Sequence, residues 1–344
     1  MKVVYPERHA YHRPRHFLAA GAHRPNPEAP ERADRLRAAT KADGHTVIAA
    51  DAHGPGPAAA VHTPAYLHFL RTIVGRWRQI EGASEEVIPK THPQGRWGAG
   101  YPESPVGQAG YHQADTACPI AEGTWEAVVN SAEAAVTGAE LVAAGEPVAY
   151  ALCRPPGHHA FPDMAGGFCF LNNTAIAVER LRRHAGRVAV LDVDVHHGNG
   201  TQSVFDQRPD VFTVSLHADP AHYFPFYWGY AQERGTGPGT GYNLNLPLPL
   251  GTRIDAYMAA LDHALAQIRA FDPDVLVVAL GLDAHVDDPL QGMALTTAEL
   301  GRVTEAIAAL RLPTLLVQEG GYLQPALEAN LQAALRGFAA LDRG

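Results

Sequence analysis

Cysteine is scarce in this 344-residue chain: Cys118, Cys153 and Cys169 are the three present, an odd count with no CxxC pair. That argues against a thiolate metal site and for a reducing compartment, here read as the cytoplasm. Charge is sparse too, at 18% Asp, Glu, Lys and Arg against 46% hydrophobic residues, a balance that excludes a disordered chain. The net charge of −9 lacks the basic stripe of a nucleic-acid binder, while an acidic surface suits a cationic substrate. No apolar run is long enough to span a bilayer, and segments such as AEAAVTGAELVAA carry charges and read as amphipathic helices. The stretch MKVVYPERHAYHRPRHF has no apolar h-region, so no signal peptide is expected. There is no GxSxG elbow for a serine nucleophile. GTGPGTG (235–241) fails the GxGxxG spacing and reads as a surface loop. Neither a repeat nor a low-complexity linker divides the chain, so residues 1–344 are expected to form one domain.

What the chain has is a series of short, β-branched apolar runs. VAYALC (148–153), VAVLDV (188–193), VFTVSL (211–216), VLVVAL (275–280) and TLLVQE (314–319) read as buried strands bounded by Gly, Pro or Asp. Helical patterns separate them: TAIAVERLRRHAG closed by Gly186, RIDAYMAALDHALAQIRAF stopped by Asp272-Pro273, and TTAELGRVTEAIAALRLP, which opens on threonine caps and ends before Pro313. Strand and helix in alternation predict an α/β fold, a central parallel β-sheet flanked by helices on both faces. Two helices, EAPERADRLRAATKADG and VHTPAYLHFLRTIVGRWRQI, are expected in the N-terminal third. A long polar loop, about 82–112 and rich in Pro, Gly and Trp, follows them.

The 19 histidines are abundant and several are clustered. Four strand ends each deliver polar groups. VAYALC runs into RPPGHHA with His158 and His159, and VAVLDV into DVHHGNG with Asp192, Asp194, His196, His197 and Asn199. VLVVAL runs into GLDAHVDDP with Asp283, His285, Asp287 and Asp288, and TLLVQE into GGY with Tyr322. Ligands bind at that edge of open parallel sheets. In an extended segment residues two apart face one side, so Asp194 and His196 are expected to reach one point. Asp283 from another strand could supply a third ligand. Two Asp and one His suit Zn²⁺ or Fe²⁺, and three protein ligands leave a position for water. Metal-assisted hydrolysis is the implied reaction: the ion lowers the pKa of water toward ~7, a neutral histidine moves the proton, and a tyrosine donates to the oxyanion.

RPPGHHA, GGFCFLNN, LDVDVHHGNGTQ, SLHADP, LGLDAH and QEGGY, in this order and spacing, resemble the histone deacetylase superfamily from about Tyr5 to near the C-terminus. CRPPGHHAFPDMAGGFCFLNN, EGTWEA, the pattern at 224–233 and the 82–112 insertion are most similar to its bacterial acetylpolyamine amidohydrolase branch. The resemblance implies an arginase/deacetylase-like fold and one zinc-dependent domain. It implies Asp194, His196 and Asp283 as zinc ligands, His159 as general base and acid, His158 as its charge-stabilising partner, and Tyr322 as oxyanion donor. Asp192 and Asn199 match the residues that orient the two histidines. Phe168 and Phe224, with Gly167 and Asp115, match the substrate channel. Asp192, Asp194, His196, Ser215 and Leu216 match a structural K⁺ site. The implied partner is a small acetylated amine, and the branch implies a homodimer helped by the 82–112 loop.

Two positions depart from that branch. Val106 replaces one acidic tunnel residue, while Asp115 keeps another, and GLDAHVDDPLQGMALT looks more like the class II deacetylases. Acetylated polyamine is the first substrate reading and acetyl-lysine peptide the second, with another small amide behind them. An arginase-like hydrolase would need more carboxylates for a second metal, and Asp287 and Asp288 are the nearby spares. A non-catalytic binder of acetylated amines would have no need of His158, His159 and Tyr322 together.

Overall fold

The computed structural model describes residues 1–95, 100–339 and 341. Its strands are β1 (Lys2–Tyr5), β2 (His16–Ala19), β3 (Ala22–Pro25), β4 (Thr46–Ala49) and β5 (Val148–Ala151), then β6 (Val188–Asp192), β7 (Val211–Ala218), β8 (Asn243–Leu248), β9 (Val275–Leu280) and β10 (Thr314–Gln318). The helices of the first half are α1 (Glu31–Ala42), α2 (Gly56–Ala59), α3 (Pro64–Trp77), α4 (Pro105–His112) and α5 (Thr124–Ala143). Those of the second half are α6 (Asn173–Leu181), α7 (Asn199–Phe205), α8 (Ile254–Phe271), α9 (Thr297–Ala308) and α10 (Leu327–Gly337).

Eight strands form one parallel sheet in the order β4-β1-β5-β10-β9-β6-β7-β8, and β2 and β3 pair as a separate antiparallel hairpin. Both faces of the sheet are covered. Leu276, Val278 and Leu280 of β9 pack into a core with α1, α8, α9 and α10, while Val275 and Val277 of the same strand pack into another with α3, α5 and α6. Alternate side chains point to opposite faces, so a strand covered twice must be apolar throughout. That is why runs such as VLVVAL lack alternation, and each fully buried Val or Leu contributes roughly 1.5–3 kcal/mol.

The five expected strands are present with ends shifted by no more than two residues. Helix α9 opens on a capping box, Thr296 with Glu299, and α8 ends at Phe271, where Asp272, with a φ of 54°, breaks the helical run. Some expectations need correcting. Helix α6 stops at Leu181 and continues as turns to Gly186. The 82–112 segment is not all loop, because its last eight residues are α4, docked on α3 where Arg76 Nη1 donates to Gln108 Oε1 (2.5 Å). Residues 96–99 of that segment lie outside the described residues. Among the described residues no helix is long and apolar enough to cross a membrane.

Candidate active site

The sheet order explains why four distant segments meet. Strands β5, β10, β9 and β6 are consecutive neighbours, so the residues that follow their C-terminal ends share one rim. Asp194 and His196 do not lie on extended strand as the sequence pattern implied. Strand β6 ends at Asp192, and the chain then turns, with His196 N–H donating to Asp194 Oδ1 (2.9 Å). This local side-chain-to-backbone turn, not strand periodicity, brings the two side chains together.

Asp194, His196 and Asp283 are all buried, and their ligand atoms lie within 4.8 Å of one another. His196 Nδ1 stands 3.0 Å from Asp194 Oδ1 and 3.3 Å from Asp283 Oδ2. Bonds of about 2.0–2.1 Å to a tetrahedral Zn²⁺ would set its ligands roughly 3.3 Å apart, so these spacings fit. Asp283 Oδ2 is also buried without a hydrogen bond. A carboxylate in that state is costly unless a cation faces it. The donor set therefore fits a borderline-hard dication. Gly320 makes room for it: a Cβ there would sit 2.0 Å from Asp283 Oδ2 and 2.6 Å from Asp194 Oδ2.

The two histidines differ in their partners. His158 Nδ1 bonds Asp192 Oδ2 (2.9 Å), and His159 Nδ1 bonds Asn199 Oδ1 (2.7 Å). With the ring protons assigned from these partners, each Nδ1 is the donor and each Nε2 turns away from its partner. Burial pulls the His158 pKa down, but Asp192, Asp194 and Glu319 outweigh it and push it up to about 10. Burial, reinforced by His158 and His196, holds His159 well below the usual imidazole value. His158 thus favours the charged form, and His159 the neutral one, with its Nε2 lone pair free to accept a proton.

Tyr322 is buried, and burial raises its pKa well above the usual phenol value, so its hydroxyl stays a donor. Three contacts from two residues fix it. Asp288 Oδ2 accepts its backbone N–H (2.9 Å), Arg32 Nε donates to the Gly321 carbonyl (2.6 Å), and the Arg32 guanidinium carbon lies 4.8 Å from the ring centroid. Asp288 is thereby committed to the backbone and is not a spare ligand for a second metal.

His158, His159, Gly167, Phe168, His196, Phe224, Gly320 and Tyr322 line one slender cavity of ≈ 30 Å³, enough for a water or two. Two wider surface depressions, ≈ 610 and ≈ 460 Å³, border none of these residues. Phe224 stands edge-on to His159 at 5.0 Å, and Phe168 edge-on to Tyr322 at 5.8 Å. Gly167 has a φ of +51°, and a Cβ there would fall 2.4 Å from His159 Cδ2. Phe168 itself is held at a φ of 69°, a strained value for an aromatic residue.

Asp115 does not line the cavity. Its Oδ2 accepts the Gly167 N–H (2.9 Å) and its Oδ1 the Ala117 N–H (2.7 Å), so it braces the Phe168 wall from outside. Val106 packs against the α3–α5 core. Asp192 and Ser215 are register partners on β6 and β7, with Leu216 next along and all three buried.

Glu319, Arg32 and Tyr223, whose ring stacks on His196 at 5.0 Å, had no role in the sequence reading, and Asp288 entered it only as a spare carboxylate. Glu319 left a signal, an acid directly after a fully buried strand. Arg32 left none, because α1 reads as an ordinary amphipathic helix.

The histone deacetylase domain profile matches residues 26–338. The chain is 46% identical to the acetylpolyamine amidohydrolase of Burkholderia pseudomallei over 99% of each chain. It is 43% identical to acetylpolyamine amidohydrolase 1 of Pseudomonas aeruginosa, over 98% of this chain and 99% of the relative. A crystal structure of acetylpolyamine aminohydrolase from B. pseudomallei superposes with a TM-score of 0.96 at 45% identity, covering 99% of each chain.

Proposed function

Because the chain belongs to the histone deacetylase family, we propose that it hydrolyses the acetyl-amide bond of a small acetylated amine, an acetylated polyamine first, at a dication held by Asp194, His196 and Asp283. One observation carries the reading. Asp283 Oδ2, buried without a hydrogen bond, lies 3.3 Å from His196 Nδ1, and His196 lines the same cavity as His159 and Tyr322. Bound there, Zn²⁺, or Fe²⁺ as the alternative, supplies Lewis-acid polarisation of the carbonyl and acidifies water.

The chain's own groups divide the remaining work. His159 Nε2 takes the proton of the attacking water, since its Nδ1–H is committed to Asn199, and afterwards delivers it to the departing amine. His158, kept charged by Asp192, offsets negative charge as it develops. The Tyr322 hydroxyl donates to the tetrahedral oxyanion, and its burial makes that bond stronger than it would be in water. Phe168 and Phe224 admit a slender chain and exclude a branched one. The register of Asp192 and Ser215 supports a structural K⁺ beside the site.

Relatives named for acetylpolyamines, matched end to end, favour that substrate over acetyl-lysine peptides. Acetate release from N-acetylputrescine, N-acetylcadaverine, N-acetylspermidine and an acetyl-lysine peptide, with and without chelator, tests the reading. Turnover fastest on a polyamine and lost with chelator is expected. A peptide preferred over all three polyamines overturns the substrate assignment. No turnover of anything by zinc-loaded protein returns the chain to a binder of acetylated amines.

A further inference from the structure

Two loops carry the proton-transfer and oxyanion groups, and one buried side chain joins them. Glu319 follows β10, three residues before Tyr322, and is fully buried. Its Oε2 accepts the N–H groups of Gly157 (2.6 Å) and His158 (3.0 Å), and its Oε1 accepts the Thr174 hydroxyl (2.9 Å). Its backbone is held as firmly, the N–H donating to Leu280 O (3.0 Å) and the carbonyl accepting from Arg32 Nη2 (2.6 Å). Among the described residues no other hydrogen bond joins the 157–159 loop to the 319–322 loop.

We propose that Glu319 is a positioning residue that sets the distance between the His158–His159 pair and Tyr322 by clamping two successive backbone N–H groups of the histidine loop. The inference rests on the deacetylase reading, because it assumes that both loops act on one substrate. A buried carboxylate is a costly choice where an apolar residue would pack, and three donated hydrogen bonds offset that cost. The two N–H bonds orient the peptide planes on either side of Gly157, and with them the direction in which His158 leaves the backbone. The space permits little adjustment, since a Cβ on Gly157 would meet Asn173 N at 2.4 Å. Burial pushes the Glu319 carboxyl up to about 7, against the pull of His158 and the Gly157 N–H. Reach therefore matters here more than a full negative charge.

Reach and charge are separable. Glu319→Gln keeps the reach, its carbonyl oxygen accepting the two N–H groups and its amide donating to Thr174. Glu319→Asp keeps the carboxylate but falls short by about 1.5 Å. In Glu319→Asp we expect kcat on N-acetylputrescine to fall at least about tenfold, toward the 100-fold typical of an ångström of misplacement. KM and zinc content should hold within about twofold, and amide exchange at Gly157 and His158 should quicken at least about tenfold. Glu319→Gln should stay within about threefold of the parent in both kcat and exchange. Parental kcat or exchange in the Asp variant overturns the proposal, as does a Gln variant that falls as far as Asp. If Glu319→Asp does not fold, Thr174→Val takes its place, with faster exchange expected and parental exchange overturning. The exchange measurement needs no substrate, so an inactive parent would defeat the deacetylase reading and still leave the clamp decided.

Discussion

Replacing Gly320 by alanine adds one methyl group at the most crowded point of the site. The new Cβ would stand 2.0 Å from Asp283 Oδ2 and 2.6 Å from Asp194 Oδ2, whereas carbon and oxygen pack at roughly 3.3 Å. The nearer carboxylate must therefore move by roughly 1.3 Å, against a tolerance of about 0.2 Å for metal–ligand distances. An exposed carboxylate could swing aside. These two cannot: Asp283 Oδ1 accepts the Val195 N–H (3.1 Å), and Asp194 is held by the N–H groups of His196 (2.9 Å) and of Gly320 itself (2.7 Å). Gly320 is not among the residues of positive φ, so alanine adds no backbone strain and the effect isolates the contact. We expect zinc affinity to fall by more than about 100-fold, or about 3 kcal/mol, beyond the usual loss from removing an outer partner of a ligand. Elemental analysis of folded protein dialysed against a zinc buffer measures occupancy, and melting with and without chelator measures the coupling of metal to fold. Asp283→Ala, which removes a ligand outright, sets the floor. Parental zinc affinity in Gly320→Ala would refute the placing of the ion between those two carboxylates.

Tyr322→Phe should lower kcat by about 100-fold or more with zinc content unchanged, and unaltered turnover removes the oxyanion role. Asp115→Ala leaves the Gly167 N–H without its partner and should raise KM by the same factor, about three- to tenfold, for N-acetylputrescine and for its uncharged-tail analogue N-acetylbutylamine. An effect confined to the charged substrate would mean that Asp115 meets the ammonium group after all. His62 is buried, accepts the Asn172 N–H at Nε2 (2.9 Å), and is lowered to about 4 chiefly by that burial. A depressed histidine contributes stability in full above its unfolded pKa of about 6.5, and the contribution is lost as pH falls toward the folded value, by about 2–3 kcal/mol near pH 4.5. Urea midpoints at pH 7 and 4.5 should show that part of the loss missing in His62→Gln, and identical losses in parent and variant would contradict it.

The strands that carry the chemistry were legible because burial on both faces leaves a run such as VLVVAL no polar position, and because each run ends in the residues it serves. Order within the sheet was not legible. Nothing in the sequence says that β9 and β10 lie between β5 and β6. The edge strand β8 (NLNLPL) has polar positions and a proline, and the hairpin of β2 and β3 is largely exposed, so neither carries an apolar run. Helix α4 was hidden because PVGQAGYH is weak in helix formers and owes its form to packing on α3. Expected ligands and both orienting partners were visible in the motifs. Glu319 and Arg32 act through backbone atoms of distant loops, and a hydrogen bond to a backbone leaves no mark on the identity of the residue that receives it.

The order of synthesis runs against the order of the sheet. As the chain leaves the ribosome, β4, β1 and β5 on one side and β6, β7 and β8 on the other are complete before β9 and β10 emerge to fill the gap between them. Until then each half carries a raw strand edge at what will become the middle of the molecule, the kind of surface on which nascent chains stick to one another. Asp283 and Tyr322 arrive with those last two strands, so a dication that needs Asp283 beside Asp194 and His196 could be held only after the closing step of folding.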